Sequence, residues 1–391
     1  AFKRSLAKPL IRKMRNIIII LLSFPIIVNA QQLTNNTSIN ITKSWSQQPN
    51  GYTYPFDISV PTSNMPSDGF PVCILLHGNG GNGSQIINQF SNVLECHVLV
   101  AVTGYMNSWN ICAEDSDGPD IEMVNDLIDS LQLYSNINPN KIRILGSSNG
   151  AGLANNIFIE NTNSGIDIVC AVVSHLNEPQ YHSGNFHKIG SETDPSTEYC
   201  GYNTVSNPLP TRKYLSISND NDPIIPYLGG YSMVGLDFLH AEDAAYAIAQ
   251  NQGYNGNIIT GPGIPYGNPV VFEYSYLSGN VVHIRGNAEH SINSSQEQYL
   301  KSFFNDCSAT TNINDIDTET IKVYPNPVGD ILTIEINHSE EDLYEIYSLT
   351  GQLILRGQIS LKNRSVILSS INEGVYVLKI GNKFVKFVKS K

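Results

Sequence analysis

The sequence predicts an α/β fold in which a mostly parallel β-sheet carries helices on both faces and is followed by a small all-β sandwich. Apolar runs of strand length recur along residues 51–304, and segments with helical spacing separate them. Continuous apolar strands are typical of a parallel sheet that helices cover on both sides. After Cys307 the pattern changes to alternating apolar and polar residues, which is typical of half-buried strands.

Six apolar runs are predicted as strands of the sheet: residues 72–77, 98–103, 142–145, 168–174, 214–218 and 281–285. Between the second and third runs, Ile121, Val124, Leu127 and Leu131 recur at helical spacing, and Asp120 stands near the start of that helix. The polar stretch 31–51 predicts one leader strand at most.

The N-terminus has the features of a secretory signal peptide. Arg12, Lys13 and Arg15 precede the apolar run 17–28, and a small-residue cleavage site follows at residues 28–30. We therefore expect a signal peptide at residues 14–30, an upstream remnant at residues 1–13 and a mature chain from residue 31. The apolar run is too short to span a bilayer, so export without a stable transmembrane anchor is predicted.

The most informative motif is GSSNG at residues 146–150, between a predicted strand and a helix. Glycines on both sides of a Gly-x-Ser-x-Gly motif allow the strand and the helix to approach closely, and the central residue then stands on a sharp turn. Ser148 is therefore the candidate nucleophile.

A glycine-rich loop, HGNGG at residues 77–81, directly follows the first strand of the sheet. A loop in this position can supply one backbone N–H to an oxyanion, and the residue after the nucleophile supplies the other. We expect these donors to be Asn79 and Asn149, with Gly80 as the alternative to Asn79.

The remaining members of a catalytic triad are predicted after two later strands. Asp222 is the preferred acid because Pro223 favours an extended turn at the preceding residue, and Asp220 is the alternative. His290, in the loop after the last strand of the sheet, is the candidate base, whereas His283 lies within that strand and is predicted as a packed or surface residue. The order Ser, Asp, His is the one that α/β hydrolases use.

With these residues, the sequence resembles the polyhydroxybutyrate depolymerase-like and feruloyl esterase group of α/β hydrolases. The similar segments are LLHGNGG, SWN, PDI, GSSNG and DPIIPY, at residues 75–81, 108–110, 119–121, 146–150 and 222–227. The group often has a His-x-Trp-Pro-type segment at the catalytic histidine, whereas Ser-Ile-Asn follows His290 here. The resemblance spans about residues 51–304.

The resemblance implies a secreted serine carboxylic ester hydrolase that acts through an acyl-enzyme. Feruloyl or acetyl esters of plant polysaccharide are the first expected substrates, and a polyester such as polyhydroxybutyrate is the alternative. A catalytically silent surface-binding protein on the same fold is the alternative from another class. Trp109 and His77 are predicted to contact the substrate, with a core position as the other interpretation of Trp109. Residues 175–213, which lack periodicity, are predicted to cover the substrate.

Residues 309–320 are predicted as a linker between a catalytic domain at residues 31–308 and a β-sandwich domain at residues 321–391. The segments VYPNP, YSLTG and the closing residues 374–391 resemble the C-terminal sorting domain of type IX secretion cargo. This resemblance implies secretion machinery as a partner and a secreted or cell-surface location. A substrate-binding sandwich is the alternative, but no array of exposed aromatic residues supports it.

Charge and composition exclude several other functions. Residues 31–320 hold 8 Lys and Arg against 28 Asp and Glu, a net charge of −20, whereas residues 321–391 hold 9 against 7, a net charge of +2. An acidic body disfavours nucleic acid and polyanionic substrates. No phosphate-binding glycine motif is present, so no cofactor is expected. The histidines at positions 175, 182 and 187 lack metal-ligand spacing, so no metal is expected either.

The six cysteines of an exported chain permit disulfides. Cys73 and Cys170 lie in predicted central strands and are expected to be buried thiols. The plausible bridges are Cys96 with Cys112 and Cys200 with Cys307.

Overall fold

A computed structural model describes residues 31–304, 322–335, 342–348, 352–359, 364–380 and 383–390. The chain divides into two compact units, residues 1–308 and 309–391, and each is described here by itself. The predicted upstream remnant, the signal peptide, the linker and Cys307 lie outside the described residues.

The described part of the first unit contains sixteen strands and five α-helices. The strands are β1 (Thr42–Trp45), β2 (Gln48–Thr53), β3 (Phe56–Ser59), β4 (Phe70–Leu76), β5 (Val98–Val102), β6 (Ile137–Ser147), β7 (Ile166–Val172), β8 (Tyr181–His182), β9 (Asn185–Lys188), β10 (Thr204–Ser206), β11 (Lys213–Asn219), β12 (Gly230–Tyr231), β13 (Asp237–Phe238), β14 (Ile264–Tyr266), β15 (Val271–Tyr276) and β16 (Val281–Gly286). The helices are α1 (Gly83–Phe90), α2 (Asp120–Leu131), α3 (Asn149–Glu160), α4 (Ala241–Asn251) and α5 (Ser294–Phe303).

A nine-stranded sheet organises this unit, in the order β14-β15-β16-β11-β7-β6-β4-β5-β3. The six strands from β16 to β5 run parallel, while β3 at one edge and β15 and β14 at the other pair antiparallel. Strand β4 lies between β5 and β6, so strands that follow β5 in the chain are added on the opposite side of β4. This strand order is that of an α/β hydrolase, and the predicted fold is confirmed.

Helices cover both faces of the sheet, as the apolar strands predict. On one face, α2, α3 and α4 pack on residues such as Val72, Ile74 and Ile144. On the other face, α1 and α5 pack on the alternate residues of the same strands, such as Cys73 and Leu75. Every residue of β4 and of β5 is buried, because both of their faces lie under helices.

The predicted strands are all present, and the differences lie mainly at the margins. Strand β6 begins five residues earlier than its predicted apolar run, and the polar leader forms the β1–β2 hairpin instead of one strand. The stretch 175–213 holds a small antiparallel sheet of β8, β9 and β10. None of the helices in residues 31–304 is long and apolar enough to cross a membrane.

The second unit is a sandwich of two antiparallel sheets, which confirms its predicted architecture. Its strands are β17 (Lys322–Tyr324), β18 (Ile331–Glu335), β19 (Asp342–Ser348), β20 (Leu353–Ile359), β21 (Ser365–Ile367), β22 (Gly374–Ile380) and β23 (Lys383–Lys389). One sheet has the order β17-β18-β21 and the other the order β20-β19-β22-β23. Buried residues from both sheets, among them Leu332, Ile334, Ile346, Leu378 and Phe387, form one core.

The disulfides differ from the predicted pairs, because Cys112 is bonded to Cys200. Cys96 is also disulfide-bonded. The predicted pairs of Cys96 with Cys112 and of Cys200 with Cys307 are therefore wrong. The physical reason is that the segment around Cys200 folds against the loop around Cys112, where the Tyr202 hydroxyl donates to the Ile111 carbonyl at 3.0 Å. Cys73 and Cys170 are free and buried, as predicted.

Candidate active site

Ser148 stands on a sharp turn between β6 and α3. Its φ of 54° and ψ of −119° place a non-glycine residue in a conformation that L-residues rarely adopt. The flanking glycines permit this turn, since a Cβ atom on Gly146 would collide with the Gly150 carbonyl and one on Gly150 would collide with the Leu76 carbonyl. The turn therefore needs both glycines of the motif.

The structure brings Ser148, Asp222 and His290 together. Nε2 of His290 lies 2.7 Å from Oγ of Ser148, and Nδ1 of His290 lies 2.8 Å from Oδ2 of Asp222. Asp222 follows β11 and His290 follows β16, and these two strands are parallel neighbours whose carboxyl ends meet at one edge of the sheet. When Nδ1–H donates to Asp222, Nε2 is the acceptor of the Ser148 hydroxyl proton.

The loop that holds His290 is braced by side chains from the end of β11. Asn219 is buried, and its Nδ2 donates to the carbonyls of Glu289 and Ser291, each at 2.7 Å. The Glu289 N–H donates to Oδ1 of Asn221 at 2.9 Å. These contacts fix the loop on both sides of the imidazole.

Asp222 is held as a buried carboxylate, with its side chain only 2% exposed. Its Oδ1 accepts the N–H groups of Ile224 and Ile225 at 2.8 and 3.0 Å. Burial alone would raise the pKa of Asp222, but the hydrogen bonds from His290 and from these two N–H groups outweigh it, so the pKa is lowered overall. Asp220, the alternative acid, is exposed, and the carboxylate that His290 contacts is that of Asp222.

His283 is a packed residue of the core. It is fully buried, with Nε2 3.0 Å from the Tyr227 hydroxyl and Nδ1 3.3 Å from Oγ of Ser216. Burial lowers its pKa well below the usual value for histidine. The geometry therefore favours His290 over His283 as the partner of Ser148.

Asn79 and Asn149, whose N–H groups are the predicted oxyanion donors, line the same cavity as Ser148. Asn149 is the first residue of α3, so its N–H has no acceptor within the helix. The N–H of Gly80 donates to the Asn107 carbonyl at 2.8 Å and is not free for a ligand. Between the two alternatives, the geometry therefore favours Asn79.

Trp109 and His77, predicted to contact the substrate, are both buried and do not line the cavity that Ser148 lines, although His77 lines a neighbouring cavity with Asn79 and His290. Trp109 is fully buried and its indole N–H donates to the His77 carbonyl at 2.7 Å. The His77 ring is also buried, with Nδ1 2.7 Å from the Gly78 carbonyl and Nε2 accepting the Gly104 N–H at 3.0 Å. Burial lowers the pKa of His77. Both residues brace the glycine-rich loop from below.

The Asn149 side chain has a function that the sequence analysis missed. Its Oδ1 accepts the Trp109 N–H at 2.8 Å, and its Nδ2 donates to the Trp109 carbonyl at 3.1 Å and to Oε1 of Glu114 at 2.9 Å. Oε2 of Glu114 accepts the N–H groups of Ile111 and Cys112 at 3.0 and 2.7 Å. Asn149 and Glu114 therefore clamp the loop of residues 108–115 to the turn at Ser148. In the sequence, only the resemblance of SWN at residues 108–110 to the depolymerase-like and feruloyl esterase group indicated that this loop belongs to the site.

A cavity of about 410 Å³ lies beside Ser148. One part of its wall comes from the clamped loop, including Ile111, Glu114 and Asp115. Another part comes from the segment between β11 and α4, with five apolar residues: Ile225, Met233, Val234, Leu236 and Phe238.

The stretch 175–213 was predicted to cover the substrate, yet within it only Asn177 reaches this cavity. The rest of the stretch packs elsewhere, because Phe186 contacts Phe158 of α3 and the Tyr202 hydroxyl accepts from Asn156. Its histidines are also engaged: His175 is buried against Ser218 and the Leu239 carbonyl, and the rings of His182 and His187 stack 3.6 Å apart. Within residues 31–304, no three metal-ligating side chains cluster.

Comparisons with solved structures find matches of low sequence identity. A carboxylesterase from Bacillus cereus is 14% identical, with a TM-score of 0.41, over 64% of this chain and 93% of that one. A phospholipase/carboxylesterase from Dyadobacter fermentans is 14% identical, with a TM-score of 0.39, over 64% and 95%. LpqC, a poly(3-hydroxybutyrate) depolymerase from Bordetella parapertussis, is 15% identical, with a TM-score of 0.36, over 51% and 72%. No curated relative matches the chain in sequence.

The C-terminal unit is assigned by its sequence. Residues 322–390 match the family model described as the secretion system C-terminal sorting domain. The protein thus carries a type IX sorting domain, which directs it to the cell surface or the extracellular space.

Proposed function

We propose that the protein is a secreted serine carboxylesterase. The observation that carries this proposal is the hydrogen-bonded chain from Ser148 through His290 to Asp222, with distances of 2.7 and 2.8 Å. A hydroxyl on a strained turn, a histidine that can accept its proton and a buried carboxylate that orients the histidine are the parts of an activated nucleophile.

In the proposed reaction, Nε2 of His290 takes the hydroxyl proton while Oγ of Ser148 attacks the ester carbonyl carbon. The tetrahedral oxyanion accepts hydrogen bonds from the N–H groups of Asn79 and Asn149, and each such donor typically lowers the barrier by about 3 kcal/mol. His290 then gives the proton to the leaving oxygen, which departs as the alcohol. Water, deprotonated by His290, attacks the carbonyl carbon of the acyl-enzyme. The bond between Oγ of Ser148 and this carbon then breaks, His290 returns the proton to Oγ, and the carboxylic acid leaves.

Feruloyl or acetyl esters of plant polysaccharide are the first proposed substrates. The cavity of about 410 Å³ falls in the usual range for small-molecule sites, and its apolar wall suits an aromatic acyl group. Glu114 and Asp115 on another part of the wall disfavour retention of an anionic product.

A water-insoluble polyester is the second candidate substrate. The observation that favours it is the exposure of Met233 and Val234, which line the cavity yet stand 76% and 48% exposed. Release of ferulate from feruloylated arabinoxylan and erosion of polyhydroxybutyrate films are the two assays that separate the candidates.

The test of the proposed chemistry is Ser148→Ala, with Ser147→Ala as the matched control on the neighbouring serine. We expect the first variant to lose p-nitrophenyl acetate hydrolysis and the second to keep most of it. A folded Ser148→Ala protein with most of the parent activity would contradict the proposal. If the parent protein and both variants all lack hydrolytic activity, the catalytically silent binding protein is favoured.

A further inference from the structure

The segment of residues 223–236, termed here the flap, differs from the rest of the catalytic unit in charge. It runs between Asp222 and Asp237 and contains no acidic or basic side chain. Residues 31–320 as a whole carry a net charge of −20. The flap is therefore an uncharged surface on an acidic body.

The flap also exposes large apolar side chains. Leu228, Tyr231 and Met233 are 76%, 74% and 76% exposed, and Val234 is 48% exposed. Single exposed apolar residues are ordinary, whereas four within seven residues form a patch of the kind that marks an interaction site.

The exposure belongs to an ordered hairpin. Strands β12 and β13 pair, Oγ of Ser232 donates to the Leu236 carbonyl at 2.7 Å, and the Met233 N–H donates to the Ile224 carbonyl at 3.3 Å. Asp222 anchors the start of the flap through the N–H groups of Ile224 and Ile225. Burial of Ile225 and Leu236 holds the hairpin from below, so the exposed side chains stand on a fixed support.

The patch is continuous with the cavity beside Ser148. Met233 and Val234 belong to both, and Met106, which is 55% exposed, also lines the cavity. A surface that contacts the flap therefore reaches the mouth of the cavity that holds the candidate nucleophile.

We propose that the flap docks the protein on the surface of a water-insoluble, uncharged ester phase. Hydrolysis of the docked ester rests on the proposed function, whereas docking itself needs no catalysis. Removal of apolar area from water drives such docking. Because the flap has no cations and the body around it is acidic, anionic surfaces are disfavoured.

The test measures adsorption of full-length Ser148→Ala protein to tributyrin droplets, so that the droplets are not consumed. Leu228→Ser and Tyr231→Ser are added together in the test variant. Leu133→Ser is the matched control, since Leu133 is 77% exposed but lies outside the flap and the cavity wall. Circular dichroism and thermal unfolding verify that each variant is folded.

We expect the flap variant to adsorb at least about tenfold more weakly than Ser148→Ala, and the Leu133→Ser control to adsorb equally well. High salt should leave adsorption intact, since the attraction is apolar. Equal adsorption of the flap variant would overturn the proposal. Binding of the protein to anionic phosphatidylglycerol vesicles but not to tributyrin droplets would also overturn it. A third contradicting result would be a flap variant that adsorbs normally and differs from Ser148→Ala only in the loss of a dimer. None of these outcomes depends on whether Ser148 is the nucleophile.

Discussion

At the scale of single residues, Asn149 joins two parts of the site. It lines the cavity at the start of α3, and its side chain holds Trp109 and Glu114 of the neighbouring loop. Any residue except proline keeps the backbone N–H at this position, so substitution separates the side-chain function from the proposed oxyanion binding.

We predict that Asn149→Asp raises KM for p-nitrophenyl butyrate by about tenfold, with a smaller effect on kcat. A carboxylate at this position would face Glu114 without a donor between them, and a lost buried hydrogen bond costs about 1–3 kcal/mol. The double variant with Glu114→Gln should recover most of the loss, because a glutamine amide can donate to the new aspartate. Steady-state kinetics of the two single variants and the double variant check this, and simple additivity of the two losses would contradict the clamp.

Asp120 provides a prediction on pH and stability. Burial raises its pKa to about 7, although the N–H of Asn110 and the Tyr54 hydroxyl donate to it and lower the pKa in part. In the unfolded chain an aspartate has its pKa near 3.9. The folded state therefore holds the proton more tightly, and the free energy of unfolding should fall as the pH rises from about 4 to about 7.

The carboxamide in Asp120→Asn does not titrate, so the free energy of unfolding of this variant should lack the contribution of Asp120 to its pH dependence. We expect the free energy of unfolding of the parent to fall relative to the variant by a few kcal/mol, as an order of magnitude, over this interval. Urea unfolding of both proteins between pH 4 and pH 7 measures it. Parallel pH profiles for the two proteins would contradict a raised pKa of Asp120 in the folded state.

At the scale of elements, two loops after parallel strands are locked in place by covalent and polar contacts. The Cys112–Cys200 disulfide joins the clamped loop to the segment before β10 across 88 residues. Oγ1 of Thr193 donates to Oδ1 of Asn110 at 3.0 Å and links the same two segments. The wall of the cavity is thereby attached to the stretch that packs on α3.

Replacement of both cysteines, Cys112→Ser with Cys200→Ser, should lower the free energy of unfolding of the catalytic unit by about 2–5 kcal/mol. The physical reason is the larger conformational freedom of an unfolded chain that lacks an 88-residue loop closure. Urea unfolding under non-reducing conditions measures the change. The double variant is more specific than a reducing agent, since Cys96 is also disulfide-bonded. An unchanged midpoint would contradict a structural role for this bridge.

The elements of the sheet were accessible from the sequence because strands buried on both faces are continuous apolar runs. Strands β14 and β15 and the hairpin of β12 and β13 were missed, since edge strands and exposed hairpins lack that signal. The positions of Ser148, Asp222 and His290 were predictable because each follows a strand of the sheet.

Contacts of side chains within loops were not accessible in the same way. Trp109 was predicted at the cavity wall, but the loop turns its indole inward to the His77 carbonyl. The disulfide pairs depended on how the stretch 175–213 folds, and that stretch has no periodicity from which its path could be predicted.

At the scale of the whole molecule, the body of the chain and its C-terminal segment differ in net charge. Residues 31–320 carry a net charge of −20 and residues 321–391 one of +2, and residues 322–390 match the sorting domain family. Each unit has its own hydrophobic core. Export and catalysis should therefore be separable.

A chain that ends before residue 309 should keep ester hydrolysis but lose export. In a host with type IX secretion, we expect the full chain in the medium or at the cell surface and the shortened chain inside the cell envelope. Immunoblots of cell fractions, together with hydrolysis assays on lysates, measure both properties. Export of the shortened chain at the level of the full chain would contradict the assignment of the signal to this unit.

Whether Ser148 is the nucleophile is tested by the reaction of the full-length protein with a fluorophosphonate, followed by mass spectrometry of its peptides. We expect one adduct on Oγ of Ser148, its absence from Ser148→Ala, and a strongly slowed reaction in His290→Ala, because the histidine accepts the hydroxyl proton. An unlabelled parent protein, or an adduct on another residue, would contradict the claim that Ser148, His290 and Asp222 form an activated nucleophile.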